Sequence, residues 1–200
     1  MLRCYDPDGM VLELVASDGD NRSGWDGVSS IPAEHAVRGL HSVTLTEASL
    51  EATASLLTDG MNMQVSSEGA ARARFAMSDG AAGSLLDLSA VRASPGRQAG
   101  GTVHHIAFRV PDLETIALWQ HELAEAGLPV TEIIDRQYFK SVYFREPGGV
   151  LFELATEAPG FDVDEPLLEL GRTLKLPPWL EPSREQIEAA LPPLPPIEDL

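Results

Sequence analysis

Apolar and polar positions fall into short runs along the whole chain, and the pattern is sharpest between residues 101 and 157. Residues 102–110 are a β-rich run with His104 and His105 inside it. Residues 111–127 carry Leu113, Ile116, Leu118 and Leu123 at near-helical spacing, open on a proline and stop at a glycine. Residues 129–134, 140–145 and 150–156 are short runs rich in β-branched and aromatic side chains, separated by polar or Pro-Gly-Gly turns. The predicted order is β-α-β-β-β. The turn at Glu146–Gly149 makes the last two strands a hairpin and sets Tyr143 roughly opposite Glu153, on the same face.

The same pattern occurs earlier in the chain. GMVLEL (9–14), GSLLDL (83–88) and GVLFEL (149–154) each read as glycine, three mostly apolar residues, an acid and leucine. LHSVTLTE (40–47) aligns with HHIAFRVP (104–111), placing His41 under His105 and Asp87 under Glu153. A repeat of this length dictates the architecture. The expected organisation is the last strand of a preceding module plus a linker (1–37), a first complete module (38–98), a second module carrying the metal residues (99–157) and a wrapping tail (158–200). The expected fold is α+β: paired β-α-β-β-β modules forming a cup-shaped mixed sheet, with a Pro-rich helical tail. Residues 49–57 predict a helix in the first module. Residues 165–170 and 183–191 predict short helices in the tail, where Leu168, Leu174, Leu176, Trp179 and Leu180 are apolar enough to imply docking.

Composition removes several function classes. Fourteen basic against 31 acidic residues give a formal charge of −17 over 200 residues, which repels phosphates and argues against a nucleic acid or an anionic membrane as partner. No apolar run approaches the roughly 20 residues that span a bilayer, and the N-terminus has neither a basic n-region nor an apolar h-region. Cys4 is the single cysteine, so no intrachain disulfide is possible, which fits a reducing cytoplasm. The strand at 9–15 has no partner fixed by the sequence, which allows pairing within the chain or with another chain; left as an unpaired apolar edge it implies homo-oligomerisation or poor solubility. No strand-GxGxxG-helix context surrounds Gly148 and Gly149, so they are a turn device rather than a phosphate cradle.

The repeat resembles the vicinal oxygen chelate superfamily of glyoxalases, bleomycin-resistance proteins and extradiol dioxygenases. Three stretches sharpen the match: GTVHHIAFRV (101–110), DRQYFKSVYFREPGGVLFELATEAPGF (135–161) and LGRTLKLPPWLEPSREQIEAALPPL (170–194). They look like the C-terminal part of bacterial ring-cleaving dioxygenases of the hydroquinone-cleaving type. That likeness implies an Fe(II)-dependent dioxygenase taking a small aromatic substrate and O2. It also implies a chain truncated at its N-terminus, with one ligand histidine and a partnering N-terminal half missing.

Non-haem Fe(II) sites use two histidines and one carboxylate, and His105 with Glu153 suit two of those places. Neighbours on a strand point to opposite faces, so registration with His41 selects His105 and turns His104 away; the resemblance gives His104 a supporting role behind the ligand. Tyr143 beside the carboxylate is a candidate hydrogen-bond donor or acid. Arg136 and Tyr138 match positions that line the substrate pocket in similar enzymes. The third ligand belongs to the missing segment by resemblance; within this chain His41 is available, with Asp87 as a further candidate. A set of His41, Asp87, His105 and Glu153 with Mn, Ni or Zn instead of iron implies a glyoxalase-type lyase or isomerase. A metal-free small-molecule-binding module is the third possibility. The plain alternatives are a packing histidine, a β-forming tyrosine at 143 and a surface arginine at 136.

Overall fold

The computed structural model describes residues 1–27, 30–69, 71–90, 99 and 102–193. Residues 91–98 at the end of the first expected module, residues 100 and 101 at the start of the second, and residues 194–200 of the tail lie outside the described residues. Ten strands are described: β1 (Leu2–Tyr5), β2 (Val11–Leu14), β3 (Ser42–Glu47), β4 (Gln64–Glu68), β5 (Arg72–Ala76), β6 (Leu85–Ala90), β7 (Ile106–Val110), β8 (Ile134–Asp135), β9 (Lys140–Arg145) and β10 (Leu151–Thr156). Three α-helices accompany them, with short 3-10 turns between: α1 (Glu51–Ser55), which runs on as a π-helical turn at Leu56–Gly60, α2 (Leu113–Glu125) and α3 (Arg184–Ala190).

The strands form a two-stranded sheet, β1-β2, and two four-stranded sheets with the orders β3-β6-β5-β4 and β7-β10-β9-β8. Each four-stranded sheet therefore places its fourth strand between its first and third. The fold is α+β, mixed sheets with interspersed helices. The expected cup is not formed. Each sheet is open and ends on its own edge strands, and none closes or curls on itself. Two edges show why: β4 is exposed along its whole length, and β8 is only two residues long, too short to carry the ladder further.

The chain divides into two compact units whose boundaries cut across the repeat: Met1–Ile106 with Leu123–Pro129 and Phe144–Phe152, and Ala107–Glu122 with Val130–Tyr143 and Glu153–Leu200. In the first unit, β6 runs parallel to β3 and antiparallel to β5. Its alternation puts Leu86 and Leu88 on one face, where Leu86 pairs with Phe75 and Leu88 with Leu45, all four buried. The other face is polar: Asp87 lies opposite Thr44 and Arg74. The strand expected to be orphaned pairs inside the chain, β2 with β1, Leu14 opposite Leu2 and Val11 opposite Tyr5. Asp6 makes their turn by accepting the N–H groups of Asp8 (2.9 Å) and Met10 (2.7 Å) on Oδ1, with Gly9 at φ +88°. Glu146 repeats the device at the β9–β10 turn, accepting Gly148 N–H (2.7 Å) and Val150 N–H (2.6 Å), with Gly149 at φ +97°.

In the second unit, Asp112 caps α2, its Oδ1 accepting both the N–H (2.8 Å) and the hydroxyl (2.7 Å) of Thr115. The helix ends in a Schellman arrangement in the first unit: Leu128 N–H reaches Leu123 O (3.0 Å) and Gly127 N–H reaches Ala124 O (2.9 Å). Of the four apolar positions expected to face the core, Ile116 and Leu123 are buried while Leu113 and Leu118 are exposed.

Two expected strands are shorter than their composition suggests. The run at 102–110 becomes a strand only at Ile106, because Thr102 folds back to exchange hydrogen bonds with Ala99. The run at 129–134 is reduced to β8. Thr131 gives its hydroxyl, not its carbonyl, to Tyr143 N–H (3.0 Å), and its carbonyl is taken by the Gln120 side chain (2.6 Å). In the tail, the expected docking is not seen at Leu168 or Trp179, which are 86% and 61% exposed.

The polar face of the first sheet is held by one ion-pair cluster. Both oxygens of Asp87, 1% exposed, accept guanidinium hydrogens: Arg74 at 2.8 and 2.9 Å, Arg72 at 2.8 Å. Arg72 also reaches Glu13 on β2 (3.0 Å) and Thr44 (2.9 Å). Burial raises the Asp87 pKa, but the hydrogen bonds from Arg74 and Arg72 outweigh it and hold the group below 3.8. A lowered folded pKa adds stability above the unfolded value that is lost as pH falls through the folded one. Asp87→Asn is expected to cost about 2–3 kcal/mol at neutral pH, reduced from the fully buried case because the arginines are partly exposed. The wild type's advantage is expected to shrink below pH 3.8. Urea denaturation over a pH series measures both.

Candidate active site

The structure distributes the expected site residues over the two units. His41, Asp87, His104 and His105 lie in the first; Arg136, Tyr138, Tyr143 and Glu153 lie in the second. Within the second unit β10 is an inner strand of its sheet, so Glu153 is buried, at 3% exposure. Its Oε1 accepts the Tyr143 hydroxyl at 2.5 Å, the cross-strand meeting that the hairpin register predicts. The Arg136 guanidinium stands over the Tyr143 ring, 5.3 Å from its centroid. Arg136, Tyr143 and Glu153 thus form a continuous chain of cation, phenol and carboxylate.

Tyr138 sits on the loop between β8 and β9, where Gln137 adopts φ +66°. Its ring stacks on Phe161 at 5.1 Å, its hydroxyl donates to Asp164 (3.1 Å), and its carbonyl accepts Gly160 N–H (2.9 Å). Desolvation, with the Asp164 carboxylate adding to it, pushes the phenol above its ordinary value of 10. Tyr138 is therefore a neutral donor and not a phenolate base.

In the first unit the two histidines precede β7 instead of lying within it. Their Nδ1 atoms are 2.9 Å apart and the rings meet edge to face. One ring must carry its hydrogen on Nδ1 and donate to the bare Nδ1 of the other. His41 likewise precedes its strand, with Nδ1 3.1 Å from Ser42 Oγ. Asp87 is paired with Arg72 and Arg74 and not with His41, so the four-ligand lyase set loses a carboxylate to guanidinium.

Periodicity missed the arginine pair. Arg72 and Arg74 are two apart on a strand and so share a face, and that face could have been matched to Asp87 by register. It also missed Asp164, whose contact with Tyr138 is long-range and leaves no local signal. Among the described residues no group of three or more His, Cys, Asp or Glu side chains is gathered to hold a metal ion. His105 and Glu153 have suitable donor chemistry, but a complete ligand set is not present among these residues.

Two open four-stranded sheets of identical strand order, each with an acid on its fourth strand, define a duplicated α+β protein. The family model described as Glyoxalase/Bleomycin resistance protein/Dioxygenase superfamily matches residues 39–154, and the chain belongs to that superfamily. It is 41% identical over 191 residues to the "Putative ring-cleaving dioxygenase MhqE" of Bacillus subtilis (strain 168), covering 94% of this chain and 61% of that protein. It is 35% identical to the chlorohydroquinone/hydroquinone 1,2-dioxygenase of Sphingobium indicum, covering 90% of this chain and 57% of the relative. A crystal structure titled as a putative dioxygenase from Bacillus subtilis superposes with a TM-score of 0.88 at 36% identity, over 96% of this chain and 62% of that one. The chain thus spans about three fifths of the length of these relatives. Among the described residues no helix is long and apolar enough to cross a membrane.

Removing the phenol hydroxyl leaves a buried carboxylate oxygen without that donor. Tyr143→Phe is expected to lower the unfolding free energy by about 1–3 kcal/mol, and equilibrium denaturation of the two proteins checks it.

Proposed function

We propose that this chain is part of an Fe(II)-dependent ring-cleaving dioxygenase whose substrates are O2 and a small aromatic ring of hydroquinone or catechol type. The observation that carries the reading is the reach of the similarity. More than nine tenths of the chain aligns with the relative named "Putative ring-cleaving dioxygenase MhqE", and nine tenths with one named for chlorohydroquinone and hydroquinone. The contrast between the two repeat acids supports it. Asp87 is bound by two guanidiniums, whereas Glu153 accepts a phenol hydroxyl that orients its carboxyl.

His105 and Glu153 are the metal donors assigned to this chain, and the third donor lies outside the described residues. When bound, the iron supplies the redox chemistry that joins O2 to the ring and an anchor for a substrate oxygen. The chain's own groups position and protonate. For His105 to offer Nε2, its Nδ1 hydrogen must be donated to His104, so His104 fixes the ligand's tautomer. Tyr143 holds a proton at its hydroxyl oxygen, within reach of Glu153, and can pass it to a substrate oxygen. Arg136 brings a fixed positive charge beside that phenol, suited to an ionised substrate hydroxyl or a carboxylate product. Tyr138, a neutral phenol fixed by Phe161 and Asp164, lines the same loop.

Oxygen consumption on hydroquinone and chlorohydroquinone tests the reading, using the chain loaded with Fe(II), alone and with the unmatched segment of a relative added separately. His105→Ala and Glu153→Gln are expected to abolish uptake, Tyr143→Phe to slow it by about 10²–10⁴, and His41→Ala to leave it unchanged. No uptake under either condition, or loss in His41→Ala with retention in Glu153→Gln, rejects the proposal.

A further inference from the structure

Two glutamates outside the candidate site are buried together in the first unit: Glu47 at the end of β3 and Glu146 at the β9–β10 turn, 5% and 2% exposed. Thr53, on α1 and fully buried, lies between them. Its Oγ1 is 2.8 Å from Glu47 Oε2 and 2.5 Å from Glu146 Oε2.

Proton counting constrains this arrangement. A threonine hydroxyl carries one hydrogen and can satisfy only one of the two acceptors. The other short contact needs a second hydrogen, and a carboxyl group is its only source. Glu146 behaves as the carboxylate, since its Oε1 accepts Val150 N–H and its Oε2 accepts Gly148 N–H. Glu47 Oε1 is enclosed and has no hydrogen-bond partner among the described residues. The backbone of Gly148 presses on the same carboxyl, so that a Cβ there would lie 2.6 Å from Glu47 Cδ. That crowding suits a proton and not a hydrated cation.

We propose that Glu47 holds a proton at neutral pH, making Glu47–Thr53–Glu146 a buried proton-binding site that locks β3 and α1 to the β9–β10 turn. The relay runs from Glu47 O–H to Thr53 Oγ1 and from Thr53 O–H to Glu146 Oε2. Burial raises the Glu47 pKa above 4.5 and the Glu146 charge reinforces it; only a hydrogen bond donated by Thr53 to the ionised carboxylate would oppose it, and in the relay Thr53 donates to Glu146 instead. Glu146 is the charged group that acts on Glu47 among the described residues, and it repels the ionised form. Loss of the proton sets two negative charges against one hydroxyl and opens the lock. A raised folded pKa adds stability that is complete below the unfolded value and lost as pH rises through the folded one.

Glu47→Gln keeps a donor to Thr53 but cannot titrate. Melting temperatures of the wild type and Glu47→Gln are expected to run in parallel below about pH 4.5. Above it the wild type should fall away by about 3–5 °C for each pH unit over which the proton is held. A wild-type sample with 13C-labelled glutamate carboxyls should show one resonance still in the protonated position at neutral pH, and this readout serves if Glu47→Gln does not fold. Parallel melting curves at every pH, or glutamate carboxyls that all titrate in the ordinary range, overturn the proposal. A melting shift on adding Ca2+ or Mg2+, seen in the wild type and absent in Glu47→Gln, overturns it too, by showing a cation where the proton is placed.

Discussion

A carboxylate buried on an inner strand of a sheet has to have its charge met by something, and this chain meets that demand in opposite ways at two equivalent positions. Asp87 and Glu153 occupy the same place in the repeat, each on the strand lying between the first and third of its sheet. Around Asp87 the neighbouring strand supplies Arg72 and Arg74, and the acid becomes the anchor of the β1–β2 hairpin through Glu13. Around Glu153 the neighbouring strand supplies Tyr143. One repeat binds its acid into an ion-pair cluster, and the other gives its acid a phenol hydroxyl; the proposed function builds on that difference.

The supporting parts follow from that proposal. The short β8 and the loop after it carry Arg136 and Tyr138 towards the same hairpin, and the segment at Gly160–Asp164 fixes the loop through stacking, a backbone hydrogen bond and a carboxylate. In the histidine pair, the Nδ1 to Nδ1 contact makes the tautomer of one ring depend on that of the other. None of this requires the sheets to curl. The chain spans about three fifths of its relatives' length, and the proposed iron site takes two of its donors from it.

Much of this was legible in the sequence because it is local or repeated. The Gly-x-x-x-acid-Leu signature gives the equivalence of Asp87 and Glu153, and the Glu146–Gly149 turn gives the register that brings Tyr143 to Glu153. What periodicity could not see were competing side-chain hydrogen bonds. Thr102 shortens β7, and Thr131 with Gln120 dissolves most of the strand expected at 129–134. The expected cup failed for a related reason: strand composition says nothing about where a ladder stops. The buried partnership of Glu47, Thr53 and Glu146 joins residues far apart in the chain, and its only local trace is a threonine on the buried side of a helix.

The central claim is that Glu153, and not Asp87, serves a metal. Anaerobic Fe(II) titration by calorimetry of the wild type, Asp87→Asn and Glu153→Gln, each first shown to unfold cooperatively, tests it directly. The account predicts wild-type affinity in Asp87→Asn and a loss of more than about tenfold in Glu153→Gln. Equal affinity in all three proteins, or a loss confined to Asp87→Asn, would contradict it.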